Sequence, residues 1–237
     1  MTAQPPGRRK PGLGVVMPAR DAAAFLAPAL DSVLAQTAAD FELVVVDDGS
    51  TDDTARILAA YAARDARIAV VRHERALGIS AALNRGIETT RAGLIARMDA
   101  DDVSAPERFA RQLAFLAAHP DVVLCGTSAR LLDERGTVSQ VWSVPTGAAT
   151  IRALLPQGNC FVHGSVMFRR QPVERAGLYS SDYPFAEDYE LYVPATVKRR
   201  RAARPRSARS RHARSAPRRR GTPGRQVSTA ALRGRRR

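Results

Sequence analysis

The chain has 237 residues, 45% apolar and 25% charged, which suits a globular protein of one large or two small domains. No apolar run reaches the roughly 18 residues that a membrane-crossing helix needs, and the two cysteines, Cys125 and Cys160, lack metal-ligand spacing and read as buried free thiols of a reducing compartment. The net charge of +14 is not spread over a face of the fold: 17 of the 37 Lys/Arg lie between Lys198 and Arg237, where no Asp or Glu occurs, leaving 20 basic against 23 acidic residues, a net −3, in the body.

Residues 1–11 are basic and rich in Pro and Gly, without the apolar core of an export signal, and read as a disordered leader. Leu13 to Met17 is an apolar run of buried-strand length that Pro18 ends. Asp21 stands where it can cap a helix carrying Phe25, Leu26, Leu30, Val33 and Leu34 on one face. Phe41 to Val46 is a second, nearly all-apolar strand of the kind covered on both sides of a parallel sheet. At its end comes Asp47-Asp48-Gly49-Ser50-Thr51-Asp52-Asp53-Thr54, where Gly49 permits a tight turn and Ser50 or Thr51 can cap a helix with Ile57, Leu58 and Tyr61 inward.

Ile68 to Val71 is a third strand, and Gly78 opens a helix with Ile79, Leu83 and Ile87 on one face. Leu94 to Met98 is a fourth strand, ending in Asp99-Ala100-Asp101-Asp102. Pro106 suits the first turn of the next helix, which buries Phe109, Leu113 and Leu116. Further strands are expected at 122–125, 129–132 and 161–168, the last with an irregularity at Gly164, a short helix at 151–155, and a helix beginning at 186–192. Alternating strands and helices imply an α/β fold with a mostly parallel sheet, and both acidic clusters fall at C-terminal strand ends, the edge where open α/β sheets bind ligands. No Gly-x-Gly-x-x-Gly or Walker-type loop is present.

Three carboxylates within four residues repel one another unless they are solvated or share a cation. The turn therefore reads as a metal-diphosphate site, against the plainer alternative of solvated acids capping the following helix. Together with Val15 to Pro18, Leu30 to Thr37, Val45 to Asp52, Gly78 to Gly86, Ala96 to Asp102 and Ala186 to Leu191, it makes the sequence resemble a family 2 glycosyltransferase over roughly residues 13–192. The resemblance implies a GT-A-type, Rossmann-like fold and an inverting transfer of a sugar from a UDP- or dTDP-type donor to an acceptor hydroxyl. It implies Asp101 as metal ligand, Asp99 on the ribose or the metal, Mg²⁺ or Mn²⁺ as cofactor, and Asp48 on the nucleotide base with Asp47 assisting. Pro18 belongs to the loop beside the base, where Arg20-Asp21 departs from the aromatic-Asn pair of many relatives. Arg75 departs likewise from a common Asn, while Arg85 and Arg97 are candidates for the diphosphate. Asp188 matches the acid that relatives use as base on the acceptor hydroxyl. His163 and Trp142 lie in the acceptor-side segment, where His163 reads first as a satisfied strand-end histidine and Trp142 as an acceptor platform or as core or interface packing. The domain expected at 12–192 divides into a donor half, about 12–125, and an acceptor half, about 126–192.

The expected setting is surface polysaccharide or glycolipid synthesis, in the cytoplasm or peripherally at the inner face of the cell membrane, with a nucleotide-sugar donor and a glycan or glycolipid acceptor. Two alternatives stand beside it. One is a metal-dependent nucleotidyltransferase, for which Leu13-Gly14-Val15 is a poor Gly-rich loop. The other is a nucleic-acid-binding protein acting non-specifically through its basic tail.

From 193 the resemblance stops. No aromatic follows Tyr192, and Arg, Ala, Pro, Ser and Gly replace apolar periodicity, so 193–237 reads as a disordered tail. Out-of-frame GC-rich codons yield that composition, and a reading-frame shift near the Tyr192 codon is the expectation. Translating the alternative frames beyond that codon checks it: a Leu- and Arg-rich amphipathic continuation is expected in one of them, and its absence from all would leave the tail as native sequence.

Overall fold

The structure, a computed structural model, describes residues 10–133, 136–183, 186–196 and 225–229. Residues 1–9 of the expected leader, and 197–224 and 230–237 of the expected tail, lie outside the described residues. In chain order the elements are β1 (Leu13–Ala19), α1 (Leu26–Leu34), β2 (Phe41–Asp47), α2 (Thr54–Arg64), β3 (Ile68–Arg72), α3 (Ile79–Thr89), β4 (Leu94–Arg97), β5 (Asp102–Ser104) and α4 (Arg108–Ala118). There follow β6 (Leu124–Cys125), β7 (Ser128–Leu132), β8 (Val138–Trp142), α5 (Ala148–Leu154), β9 (Met167–Arg169), α6 (Arg170–Ala176), α7 (Glu187–Thr196) and β10 (Arg225–Thr229).

The main sheet has the order β3-β2-β1-β4-β9-β6, parallel through its first four strands, with β9 antiparallel to both β4 and β6. Helices cover both faces, which is why β1 and β2 are apolar at successive positions rather than alternately. Val15, Met17, Leu43 and Val45 pack with Leu26, Leu30 and Val33 of α1, Leu58 of α2 and Phe109 and Leu116 of α4. On the opposite face Val16 and Ile95 pack with Leu83 and Ile87 of α3 and with Phe168. The expected α/β class with a mostly parallel, helix-flanked sheet is thus what the chain forms.

A second sheet, β5-β10-β7-β8, lies beyond the acidic turn. Residues 225–229 stand in it, within the segment read as a tail without elements; the β-branched Val227 and Thr229 suit a strand, and the β5 and β7 edges are otherwise open to pairing.

Other local readings need correction. Asp21 does not cap α1, nor do Ser50 and Thr51 cap α2: neither helix has a side-chain cap hydrogen bond, because these side chains bond the two loops to each other. Ile79 faces outward, half exposed, while Leu83 and Ile87 are buried as expected. The run 161–168 is a strand only from Met167; Ser165 donates its N–H to Val162 O (2.9 Å) and closes a 3-10 turn over His163–Ser165. The strand expected at 122–125 is confined to its last two residues. The edge strand β8 was unforeseen because all five of its residues are exposed, so no alternation marks it. Helix α6 buries only Val173, too little to show a period. Helix α7 runs to Thr196, past the boundary expected at 192.

Helix α3 approaches β1 so closely that a Cβ on Gly86 would stand 2.4 Å from Val16 Cγ1. Alanine in a helix gains about 1 kcal/mol over glycine in propensity, whereas overpacking a filled core costs about 1–3 kcal/mol, so the clash decides the sign. Gly86→Ala is expected to lower the unfolding free energy in urea; an unchanged or raised value would mean that the helix and sheet are free to separate.

Candidate active site

The C-terminal ends of β2, β1 and β4, neighbours in the sheet, frame a cavity of about 360 Å³. Its walls bring together Pro18 near the end of β1, Arg20 and Phe25 from the segment after it, Asp48 after β2, Gly78 and Ile79 at the start of α3, and Asp99 and Asp101 after β4. Four of the residues singled out in the sequence, Pro18, Asp48, Asp99 and Asp101, therefore share one cavity of ligand-binding size.

The two loops after β1 and β2 are held to each other. Asp21 adopts a left-handed backbone (φ 47°), tolerable for Asp, and its carboxylate accepts from Thr51 N–H at 2.8 Å. In return Ser50 Oγ, Thr54 Oγ1 and Asp52 Oδ2 accept from the N–H groups of Asp21, Ala22 and Ala23 at 3.0, 2.8 and 3.0 Å. Gly49 makes this possible at φ 71°, where a Cβ would lie 2.6 Å from the Arg75 backbone. Asp48 is 5% exposed and accepts from His73 Nδ1 (2.7 Å) and from the N–H groups of Leu77 and Gly78 (both 2.9 Å). Burial raises its carboxyl, but these hydrogen bonds outweigh burial and hold it below the ordinary carboxylate range. Asp47 does not line the cavity. It is fully buried, accepts from Ser50 N–H at 2.9 Å and lies 3.3 Å from Arg72 Nε, so it shapes the loop. His73 is a residue the sequence reading missed; its position just past β3 was the available signal.

The acidic turn rests on two buried arginines. Arg97, 2% exposed, donates through Nη1 to Asp99 Oδ2, so it supports the turn rather than facing the cavity as a diphosphate ligand. Arg85 lies on α3, paired with Glu88 at 3.7 Å, and does not line the cavity. Arg108, fully buried, donates to the Arg97 carbonyl (2.7 Å) and to Gln112 Oε1 (3.1 Å). Burial, and after it the charge of Asp99, raises the Asp101 carboxyl. Asp102 is not a solvated cap: it is 3% exposed, and burial followed by the charges of Asp99 and Asp101 pushes it up to about 8. Gly164 leaves room for these groups, since a Cβ there would meet Asp102 Oδ2 at 2.3 Å and Asp99 Oδ2 at 2.9 Å. Sequence reading noted Gly164 as an irregularity without finding its partner.

These donors fit a hard divalent cation. They are carboxylate oxygens, crowded enough to resist simultaneous ionisation and turned to a cavity. Among the described residues no three His, Cys, Asp or Glu side chains converge as a complete ligand set, so ligand oxygens and water would fill the remaining positions.

Asp188 stands apart from this cavity, in the first turn of α7. Its Oδ2 accepts from Asn159 Nδ2 at 2.5 Å and its Oδ1 from Tyr189 N–H at 2.6 Å. Buried Tyr179 and Tyr192 lie within electrostatic reach of both Asp188 and Arg97, and His163 Nε2 is 3.2 Å from Tyr179 Oη. Burial, and then Arg97, holds His163 well below the ordinary imidazole range, which makes it a neutral packing partner. The described residues thus join the two acidic centres through a buried aromatic cluster.

The family model described as glycosyl transferase family 2 matches residues 14–177. The amylovoran biosynthesis glycosyltransferase AmsE of Erwinia amylovora is 34% identical over 69% of this chain, which spans 61% of that relative's length. Among solved structures, the mannosyltransferase PcManGT of Pyrobaculum calidifontis, in complex with GDP-Man and Mn²⁺, superposes with a TM-score of 0.60 at 20% identity, over 79% of this chain and 52% of that one. TarS 1-349 of S. aureus, in complex with UDP-GlcNAc, does so with a TM-score of 0.61 at 20% identity, over 78% and 53%. The fold is the GT-A fold of these structures.

Asp102 gives the fold a pH dependence. Between an ordinary carboxylate pKa near 4 and its own of about 8, it holds in the folded state a proton that the unfolded chain releases, so its contribution is present at low pH and lost as pH rises. His163, held well below the ordinary imidazole range, acts in the opposite sense below about pH 6.5, and Asp48 does so lower still. In metal-free buffer the thermal midpoint is expected to fall between about pH 6.5 and pH 8, and Asp102→Asn to flatten the fall. An equal slope in the variant would remove Asp102 as its source.

Proposed function

Because the chain belongs to glycosyl transferase family 2, we propose that it transfers a sugar from a UDP- or dTDP-type donor to an acceptor hydroxyl, with inversion at the anomeric carbon. The observation that carries this reading is the single cavity holding Pro18, Asp48, Asp99 and Asp101 at the C-terminal edge of the parallel strands. A nucleotidyltransferase has no comparable support, and the basic tail, largely outside the described residues, adds none to a nucleic-acid role.

In this reading the base lies beside Pro18. Asp48 already accepts three hydrogen bonds, and a carboxylate has about four lone-pair sites, leaving room for one N3–H of uracil or thymine. Asp101, with Asp99, would hold Mg²⁺ or Mn²⁺. A divalent cation bound there supplies positive charge to the departing diphosphate. Arg97 keeps Asp99 in place from below. Asp188 takes the acceptor proton as the hydroxyl oxygen bonds to the anomeric carbon; the bond to the diphosphate oxygen breaks and its electron pair leaves with the nucleoside diphosphate. Asn159 and the Tyr189 N–H orient the base.

The proposed acceptor is a surface glycan or glycolipid, met in the cytoplasm or at the inner membrane face. Among the described residues no helix is long and apolar enough to cross a membrane.

Thermal-shift measurements on the full chain with Mn²⁺ or Mg²⁺ and UDP, dTDP or GDP test the donor half. Ligand at 100 times its dissociation constant adds about 2.7 kcal/mol, a shift of several degrees. The shift is expected with UDP or dTDP and lost in Asp101→Ala. Stabilisation by GDP alone would overturn the assigned base, and none with any nucleotide would overturn the donor site.

Asp188→Asn tests the acceptor half. It is expected to keep the nucleotide shift while lowering kcat by about 10²–10⁴-fold. A near-normal kcat would relieve Asp188 of the role of base.

A further inference from the structure

A second concavity, about 320 Å³, opens between the end of β8 with the segment after it and the stretch that follows α5. Trp142 and Pro145 form one wall; Leu154, Gln157, Asn159 and Cys160 form the other. Trp142 is 48% exposed and Leu154 40%, on a strand edge and a helix end that bury neither. A tryptophan used for core packing would be covered, whereas this one lines the groove while staying half exposed.

We propose that this groove is a subsite for a neutral sugar ring of the acceptor, an inference that rests on the transferase reading above. Three observations select that ligand class. The lining holds no acidic or basic side chain, so phosphate or an anionic headgroup would find no counter-charge. The Cys160 thiol does not supply one, because burial pushes it up. Asn159 donates to Asp188 and accepts from Phe161 N–H, and Gln157 donates to Ala153 O, so the Gln157 Oε1 and the second N–H of each amide face the groove; a purely apolar occupant would leave these unpaired, which costs free energy. A pyranose matches both kinds of wall, with a C–H face for the indole and hydroxyls for the amides.

The third observation is placement. Asn159 belongs at once to the groove and to the candidate base, donating to Asp188 Oδ2 at 2.5 Å. A ring resting on Trp142 with its hydroxyls toward Asn159 is therefore one side chain from the group that would take the acceptor proton. The groove fixes the acceptor by its sugar and leaves any lipid portion outside.

Trp142 is the only tryptophan in the sequence, so its emission reports on the groove directly. The full chain would be titrated with the methyl glycosides of glucose, galactose, mannose and N-acetylglucosamine, and with the methyl glycoside of glucuronic acid as an anionic control. A saturable emission change is expected with at least one neutral glycoside. Its half-saturation concentration should rise about fivefold or more in Gln157→Ala and in Asn159→Ala, both of which retain the reporter. Gln157 is exposed and lies outside the Asn159–Asp188 bond, so its variant carries the test should the Asn159 variant fail to fold. An emission unmoved by every neutral glycoside, a response unaltered in the Gln157 variant, or tighter saturation by the glucuronide would each overturn the proposal. Parallel thermal shift with UDP separates the two readings. A preserved UDP shift with silent emission removes the sugar subsite alone; a missing UDP shift strikes the donor site.

Discussion

The pairing of the buried Arg97 with the partly exposed Asp99 is the constraint on which the rest of the site depends. Three carboxylates leave β4 together, and two guanidinium groups lie beneath them without contact with water. Each buried ion costs several kcal/mol to desolvate, and removing one partner of a buried pair costs about 3–5 kcal/mol because the other is left uncompensated. Arg97 therefore belongs to the fold as much as to the site. Its N–H donates to Val166 O at 2.9 Å and its carbonyl accepts from Arg108, so β4, the turn before β9 and α4 converge on one residue. That convergence aims the Asp99 and Asp101 carboxylates at the cavity, and it leaves the turn one negative charge in excess when all three acids are ionised. Burial and crowding raise the Asp101 and Asp102 carboxyls, and the divalent cation proposed here would favour their ionised forms.

The base side is arranged on a different principle. The loops after β1 and β2 contribute few apolar contacts, and their shape comes from reciprocal hydrogen bonds between Asp21, Ala22 and Ala23 on one and Ser50 to Thr54 on the other. Each such bond contributes about 1 kcal/mol. Several together give a preformed wall rather than a loop that must order on binding. Asp48 is fixed from behind by His73 and the N–H groups of Leu77 and Gly78, which bring the start of α3 to the cavity as well. This wall is therefore shaped by the chain's own hydrogen bonds, and in the proposed reading donor binding need not repay the ordering of its loops.

What was legible in the sequence divides along the same physics. Strands β1 to β4 were readable because burial on both faces forces continuous apolar runs, and Asp48, Asp99 and Asp101 because their types and positions at strand ends are chemically unusual. Asp47 sits beside Asp48 and has the same residue type, yet it turns inward; alternation along the strand separates them, and composition does not. Asp102 looked like an exposed cap because nothing local reveals Arg108, which arrives from the following helix. The capping roles given to Asp21, Ser50 and Thr51 failed because a loop partner about 30 residues away competes with the helix end next to them. Strand β8 and helix α6 bury almost nothing, so no periodicity recorded them.

The weakly patterned part of the chain also carries the groove proposed for the acceptor sugar. Residues that shape the proposed donor cavity are tied into the sheet and its buried charges, and they leave strong traces in sequence. Residues around Trp142 and Asn159 hang on an exposed edge strand and a short helix. Their substitution would cost the core little, so this region has latitude to follow the chemistry of the acceptor. The Asn159–Asp188 hydrogen bond would be the point at which that latitude ends, because there the exposed surface meets the proposed base. In the proposed reading, a fold built this way keeps one donor site and one base and leaves the choice of receiving sugar to a few exposed side chains.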